Sequence, residues 1–135
     1  MTLTRALPPG ERERLALGVM SLRAESHAQG RAIPAALDAL LHELVMDQPR
    51  DARARLAARL AGSRWAPPEL VRTLAADESP VAQAVLLRSP HLRDHDLMRV
   101  FAEGALEHQV AIARRPNLSA AMVEKERQQG LFSSA

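Results

Sequence analysis

The chain has 135 residues, 47% of them apolar but only 2% aromatic, and a formal net charge of +2. That length suits one domain with its own core, the lack of β-favouring aromatics argues against a sheet, and the absence of cysteine excludes disulfides and thiolate metal sites. Lys125 is the one lysine among 18 basic residues, and acids are interspersed with the arginines in ERER and PRDARAR, so no single-sign block marks a nucleic-acid arm.

Taken from the start, Met1 to Arg14 lacks the apolar run of a signal peptide, and no stretch approaches the roughly 18–20 apolar residues of a membrane span. A cytoplasmic protein with no membrane partner is the expectation. Arg12 to His27 places Leu15, Val19, Met20 and Leu22 at helical spacing, and Ile33 to Met46 repeats the pattern with Leu37, Leu40, Leu41, Leu44 and Val45. Gly30 to Pro34 breaks the two apart. Residues 12–47 therefore read as an N-terminal helical pair that caps the remainder of the chain.

From Asp51 onward the chain matches itself at an offset of 26 residues, bringing LLRSPHLRDHDLMRV (86–100) onto IARRPNLSAAMVEKE (112–126). Leu86 falls on Ile112, Arg88 on Arg114, Pro90 on Pro116, Leu92 on Leu118 and Leu97 on Val123. The same step backwards reaches Leu60, Ala66 and Val71. Each unit reads as an apolar helix, a proline-bearing corner and a second, amphipathic helix. Pro68 suits a first helical turn, Ser79 before Pro80 opens a helix, Asp94 is the expected cap of the middle unit and Ser119 that of the last.

Such units cannot bury their apolar faces alone, so neighbours stack. The predicted fold is all-α: a right-handed α-solenoid of short, HEAT-like helical hairpins, about three 26-residue units over 51–129, capped by the N-terminal pair. All of it, 1–135, forms one domain, with 130–135 as a frayed tail.

The strings APPELVRTLAADE, VAQAVLLRSPHLRDHDL and HQVAIARRPNLS carry a resemblance. Over about Asp51 to Glu124 the chain resembles a large, mainly alphaproteobacterial domain-of-unknown-function family built from HEAT-like, leucine-rich-variant helical repeats. It departs from the family pattern at Arg93, where a serine or threonine cap is usual. The resemblance implies an α-superhelix and a role in protein interaction, and it carries over no catalytic residues.

Several polar groups invite a functional reading. His91 and His95 stand four apart beside Asp94 and Asp96, but His91 precedes the helix, so a shared ligand face is not expected and no metal or cofactor is assigned. Asp94 and Asp96 instead suit a first helical turn, whose free N–H groups favour negative charge. His42 and Glu43 in LLHELV resemble the phosphoacceptor helix of sensor histidine kinases. The basic residue and proline that come next in such kinases are missing, as is a phosphate-cradling glycine loop. Phosphorelay through His42 is thus an alternative needing other proteins, against the plainer reading of a histidine at the core boundary. His108 is expected to hydrogen-bond a neighbouring corner.

Arg114 and Arg115 align with Arg88, and Arg64 lies one corner earlier. Together they suggest an arginine edge whose forks suit carboxylate or phosphate, or else ties to Asp77, Glu78 or Glu103 between units. Trp65, beside Ala66, Pro67 and Pro68, is either a partner-contact anchor or a plug over the first unit. No nucleophile has an evident base, so a non-enzymatic protein is expected.

These observations predict a protein-binding scaffold or adaptor. Its partner-binding residues would be Arg72, Arg99 and Glu103 on the second helices, Arg88, Arg114 and Arg115 at the corners, and Trp65. Phosphate-backbone binding of nucleic acid through the same arginines is the alternative, with almost no aromatics to stack bases. The last unit, Ser119 to Gln129, is expected to be uncapped and to leave apolar surface that a homodimer would cover.

Overall fold

A computed structural model of the protein describes residues 6–116 and 118–130, and its regular structure there is eight α-helices with no strand. They are α1 (Pro9–Ala28), α2 (Ala35–Met46), α3 (Arg50–Leu60), α4 (Pro68–Ala75), α5 (Ser79–Arg88), α6 (Asp94–Glu103), α7 (Leu106–Ala113) and α8 (Ala120–Gln128). Most of the tail expected to fray, from Leu131 on, lies outside the described residues. Among the described residues no helix is long and apolar enough to cross a membrane.

Prolines set the helix starts. Pro8, Pro34, Pro49 and Pro67 occupy the positions just before α1, α2, α3 and α4 in extended conformation. There their fixed φ fits the entry and no N–H is missed from the helical ladder. Ser119 caps α8 through its side chain, its Oγ accepting the Met122 N–H at 3.2 Å. At α6 the capping differs from expectation: Arg93 holds the cap position, Asp94 is the first helical residue, and the Asp96 carboxylate accepts the Arg93 N–H at 3.0 Å. Gly30, at φ 69°, makes the left-handed turn after α1 that a side chain would strain.

The buried stripe of α1 is Ala16, Val19, Met20 and Arg23. Leu15 and Leu22, expected on the inner face, are 38% and 50% exposed. A rotation of about one residue separates the two stripes. Arg23 explains it: its Nε and Nη2 donate to the Asp38 carboxylate of α2 at 2.6 and 2.9 Å, and its Nη1 donates to the Trp65 carbonyl.

Beyond this pair, α3, α5 and α7 lie side by side, with α4 packed on α3 and α5, and α6 on α7. Ala52 and Ala57 on α3 and Ala82 on α5 are buried, small residues that let α3 and α5 approach closely along their length. The buried apolar side chains from Ala16 to Met122, Ala52 apart, form one continuous cluster.

The helices α4, α6 and α8 start at Pro68, Asp94 and Ala120, 26 residues apart, and turn the same register inward. Leu70, Val71, Leu74 and Ala75 are buried in α4, Asp96, Leu97, Val100 and Phe101 in α6, Met122 and Glu126 in α8. From α5 to α7 the step is also 26, carrying Ala82, Val85 and Leu86 onto His108, Ala111 and Ile112. From α3 to α5 it is 29: Ala52, Leu56 and Ala57 correspond in burial to Val81, Val85 and Leu86. The longer connection after Leu60, which holds Trp65 and two prolines, sets α3 further back in sequence.

Candidate functional site

The side chains of His91, His108 and Arg115 reach backbone carbonyls at or beside other corners. His91 Nε2 meets the Arg64 carbonyl at 3.0 Å. His108 Nδ1 accepts the Ala105 N–H at 3.1 Å, so Nε2 carries the proton and donates it to the Asp77 carbonyl at 2.8 Å. Arg115 donates to the Leu86 and Ser89 carbonyls at 2.5 and 2.8 Å, closing the C-terminal end of α5. Cations suit such ends because their last carbonyls lack helical donors. Burial pushes the Arg115 guanidinium below its ordinary value.

The same tying consumes much of the charge. Arg53 grips Asp77 with Nε and Nη2 at 3.0 and 3.1 Å, and its Nη1 donates to the Gln48 carbonyl at 2.8 Å. Arg50 reaches Glu78 at 3.5 Å, and Arg55 reaches Glu13 of α1 at 3.0 Å. Hydrogen bonds from Arg55 hold the Glu13 carboxyl below the usual carboxylate range. Asp77 and Glu78 thus pair with arginines of α3, and not with the corner arginines.

The sequence-predicted residues accordingly separate. Arg115 is occupied by carbonyls, whereas Arg88 and Arg114 are exposed and make no ion pair among the described residues. Since Arg115 joins the end of α7 to that of α5, Arg88 and Arg114 stand at the same end of two neighbouring helices. Between these helices runs an open, mainly apolar groove of about 260 Å³, lined by Gln83 and Leu87 of α5, by Leu106, Glu107 and Val110 of α7 and by Arg114 just past its end. Leu106 is 62% exposed.

Arg99 and Glu103 are exposed on α6 and border a second groove of about 420 Å³ whose other wall is the Asp77–Glu78 corner. Arg72 is exposed on α4, near Glu69 at 3.8 Å, and shares a groove of about 370 Å³ with the half-buried His42. Trp65 is half-buried against the core and lines a depression with Leu17, Met20 and Arg59. The seven candidates therefore do not converge on one site. His91 and His95 have separate partners, His95 Nε2 lying 3.4 Å from Asp96. Among the described residues no three His, Asp or Glu side chains gather closely enough to hold a metal.

The sequence-level reading of the corner missed Leu87, Leu106 and Val110. A signal was present: Gln83 and Leu87 stand four apart, as do Leu106, Val110 and Arg114, and such rows line one side of a helix. Leu106 sits in the first turn of α7, three residues past the end of α6, where it passes for part of the connection.

Residues 81–130, from the start of α5 to just past α8, match the model of a family described as an uncharacterised protein conserved in bacteria (DUF2336). No curated protein and no solved structure matches the chain. The matched stretch contains every residue of the α5–α7 groove and is narrower than the stretch from Asp51 to Glu124 that carries the sequence resemblance.

Proposed function

We propose that the protein is a non-catalytic interaction scaffold or adaptor that holds another protein on the outer surface of a right-handed, HEAT-like α-solenoid. In this reading α3–α4, α5–α6 and α7–α8 are successive hairpin units, α1 and α2 cap the first of them, and the protein works in the reducing cytoplasm, which a chain without cysteine suits. The common burial register of α4, α6 and α8 supports the repeat architecture.

The observation that carries the binding role is a contrast among arginines. Arg23, Arg53 and Arg115 are spent on internal acceptors, while Arg88 and Arg114 stand exposed at one end of two adjacent helices, without an ion pair among the described residues. An arginine fork left in water is ready to meet a carboxylate at low reorganisation cost.

The experiment is a quantitative affinity capture from the native host comparing wild type with Arg88→Glu/Arg114→Glu. Arg115 is left intact because its carbonyl bonds hold the corner. Loss of specific partners from the variant supports the reading, and an unchanged set of captured proteins removes the arginine edge from it. Retarded nucleic acid, weakening steeply with salt as counterions are released, would replace a protein partner with a phosphate backbone.

A further inference from the structure

Resting on the interaction role just proposed, we infer that the α5–α7 groove is a docking site for a short acidic, amphipathic segment of a partner protein. Such a segment would set an apolar side chain between Leu87, Leu106 and Val110 and a flanking Asp or Glu against Arg114 and Arg88.

The shape and the charge agree on that occupant. Gln83 and Leu87 form one ridge, Leu106, Val110 and Arg114 the other, each at four-residue steps, so the trough between them is a row of apolar side chains ending in a guanidinium. Its volume, about 260 Å³, accommodates one or two side chains rather than a whole domain face. Leu106, at 62% exposure, is the most exposed large apolar residue among the described residues. Water against it is displaced favourably by any apolar side chain. Arg114 lines the groove and Arg88 adjoins Leu87 at the same helix end, and neither has an ion-pair partner among the described residues. A basic segment would meet both cations, whereas an acidic one meets only Glu107 at the opposite end of α7. A nucleic acid would use the guanidinia and leave the apolar trough unfilled.

The test is a selection from a display library of random short peptides on the full chain, with counter-selection on Leu106→Glu/Arg114→Glu. Both residues lie outside the buried core, and unchanged circular dichroism of the variant checks that the fold survives. The enriched peptides are expected to carry Leu, Ile, Phe or Met beside Asp or Glu. A synthetic version should lose at least tenfold in affinity on Arg114→Glu and at least tenfold on Leu106→Glu. Exchanging its acids for lysines should restore binding to Arg114→Glu alone. Amide shifts in the labelled protein should centre on Leu87, Leu106 and Val110. Basic or uncharged consensus peptides, shifts centred elsewhere, or no enrichment over the variant would overturn the groove assignment. The scaffold reading fails separately, when affinity capture with wild type yields no specific partner; partners that bind wild type and Leu106→Glu/Arg114→Glu equally well refute the groove alone.

Discussion

Arg53 and Asp77 meet in a two-bond fork, at 3.0 and 3.1 Å, that joins α3 to the corner between α4 and α5. The Asp77 side chain is 9% exposed and that of Arg53 16%, so the pair is largely withdrawn from water. The backbone carbonyl of the same Asp77 accepts the hydrogen bond of His108 Nε2 from the next pair of helices. One residue thereby links its own corner to both α3 and α7, with the carboxylate serving α3 and the peptide group α7.

Removing one partner of a buried pair strands the other. Asp77→Ala is expected to cost about 3 kcal/mol, the lower end of the range for such losses, because Arg53 keeps its bond to the Gln48 carbonyl. Arg53→Met/Asp77→Leu, which removes both charges, should cost distinctly less than Asp77→Ala. Urea unfolding of the three proteins, with unchanged slopes, provides the comparison.

Gly104 is required for close approach rather than for its backbone angle. A Cβ there would lie 2.7 Å from the Val100 carbonyl oxygen and 2.9 Å from His108 Cβ. Both are fixed, the first by the helix and the second by a histidine bonded at both ring nitrogens. Gly104→Ala should therefore destabilise by about 1–3 kcal/mol, as overpacking does, whereas Gly62→Ala, which has open space, should not. Thermal unfolding of the pair distinguishes the sites.

Much of this was readable from spacing, and the reason it stopped where it did is geometric. The step from Leu86 to Ile112 is a property of apolar periodicity, and Ser119 and Pro68 declare helix starts by local chemistry alone. Pairings across the chain are not local. Arg53 finds Asp77, and Arg23 finds Asp38, only once helix rotation and crossing are set, and a one-residue rotation of α1 exchanged Leu22 for Arg23 on the inner face. The same applies to Arg114 and Arg115: adjacent and alike in sequence, they part because one side chain turns toward the α5 carbonyls and the other toward solvent.

Glu126 occupies the register position of Leu74 and Val100, is fully buried, and has neither carboxylate oxygen hydrogen-bonded among the described residues. Burial raises its pKa above 4.5. The folded chain then holds this proton more tightly than the unfolded chain, so its ionisation weakens the fold. The contribution of Glu126 to stability is full below 4.5, falls as pH rises from there through the raised folded value, and levels off above it, opposite in sign to the contribution of Glu13, whose lowered value stabilises the fold above the unfolded pKa. Glu126→Gln should flatten that decline. Glu126→Leu, restoring the residue type of the preceding registers, should stabilise at neutral pH by about 1–3 kcal/mol, the penalty of an unsatisfied buried polar group. Denaturant midpoints across the acid-to-neutral range read both effects.

Ser119 supplies the side-chain cap of α8. Ser119→Ala should cost about 1 kcal/mol and accelerate amide exchange first in the opening turn of α8, around Met122. Exchange in α3 and α5 should stay unchanged, because α8 lies at the far end of the helix series.

Whether a partner occupies the α5–α7 face is read most directly by photo-crosslinking in living cells, with a benzophenone amino acid placed at Leu106 and, as control, at the exposed Ala58 of α3. A discrete protein adduct is expected from position 106, absent from position 58 and lost when Arg88→Glu/Arg114→Glu is introduced alongside. Adducts that are the same from both positions, or none from position 106, would contradict a partner-binding role for this face.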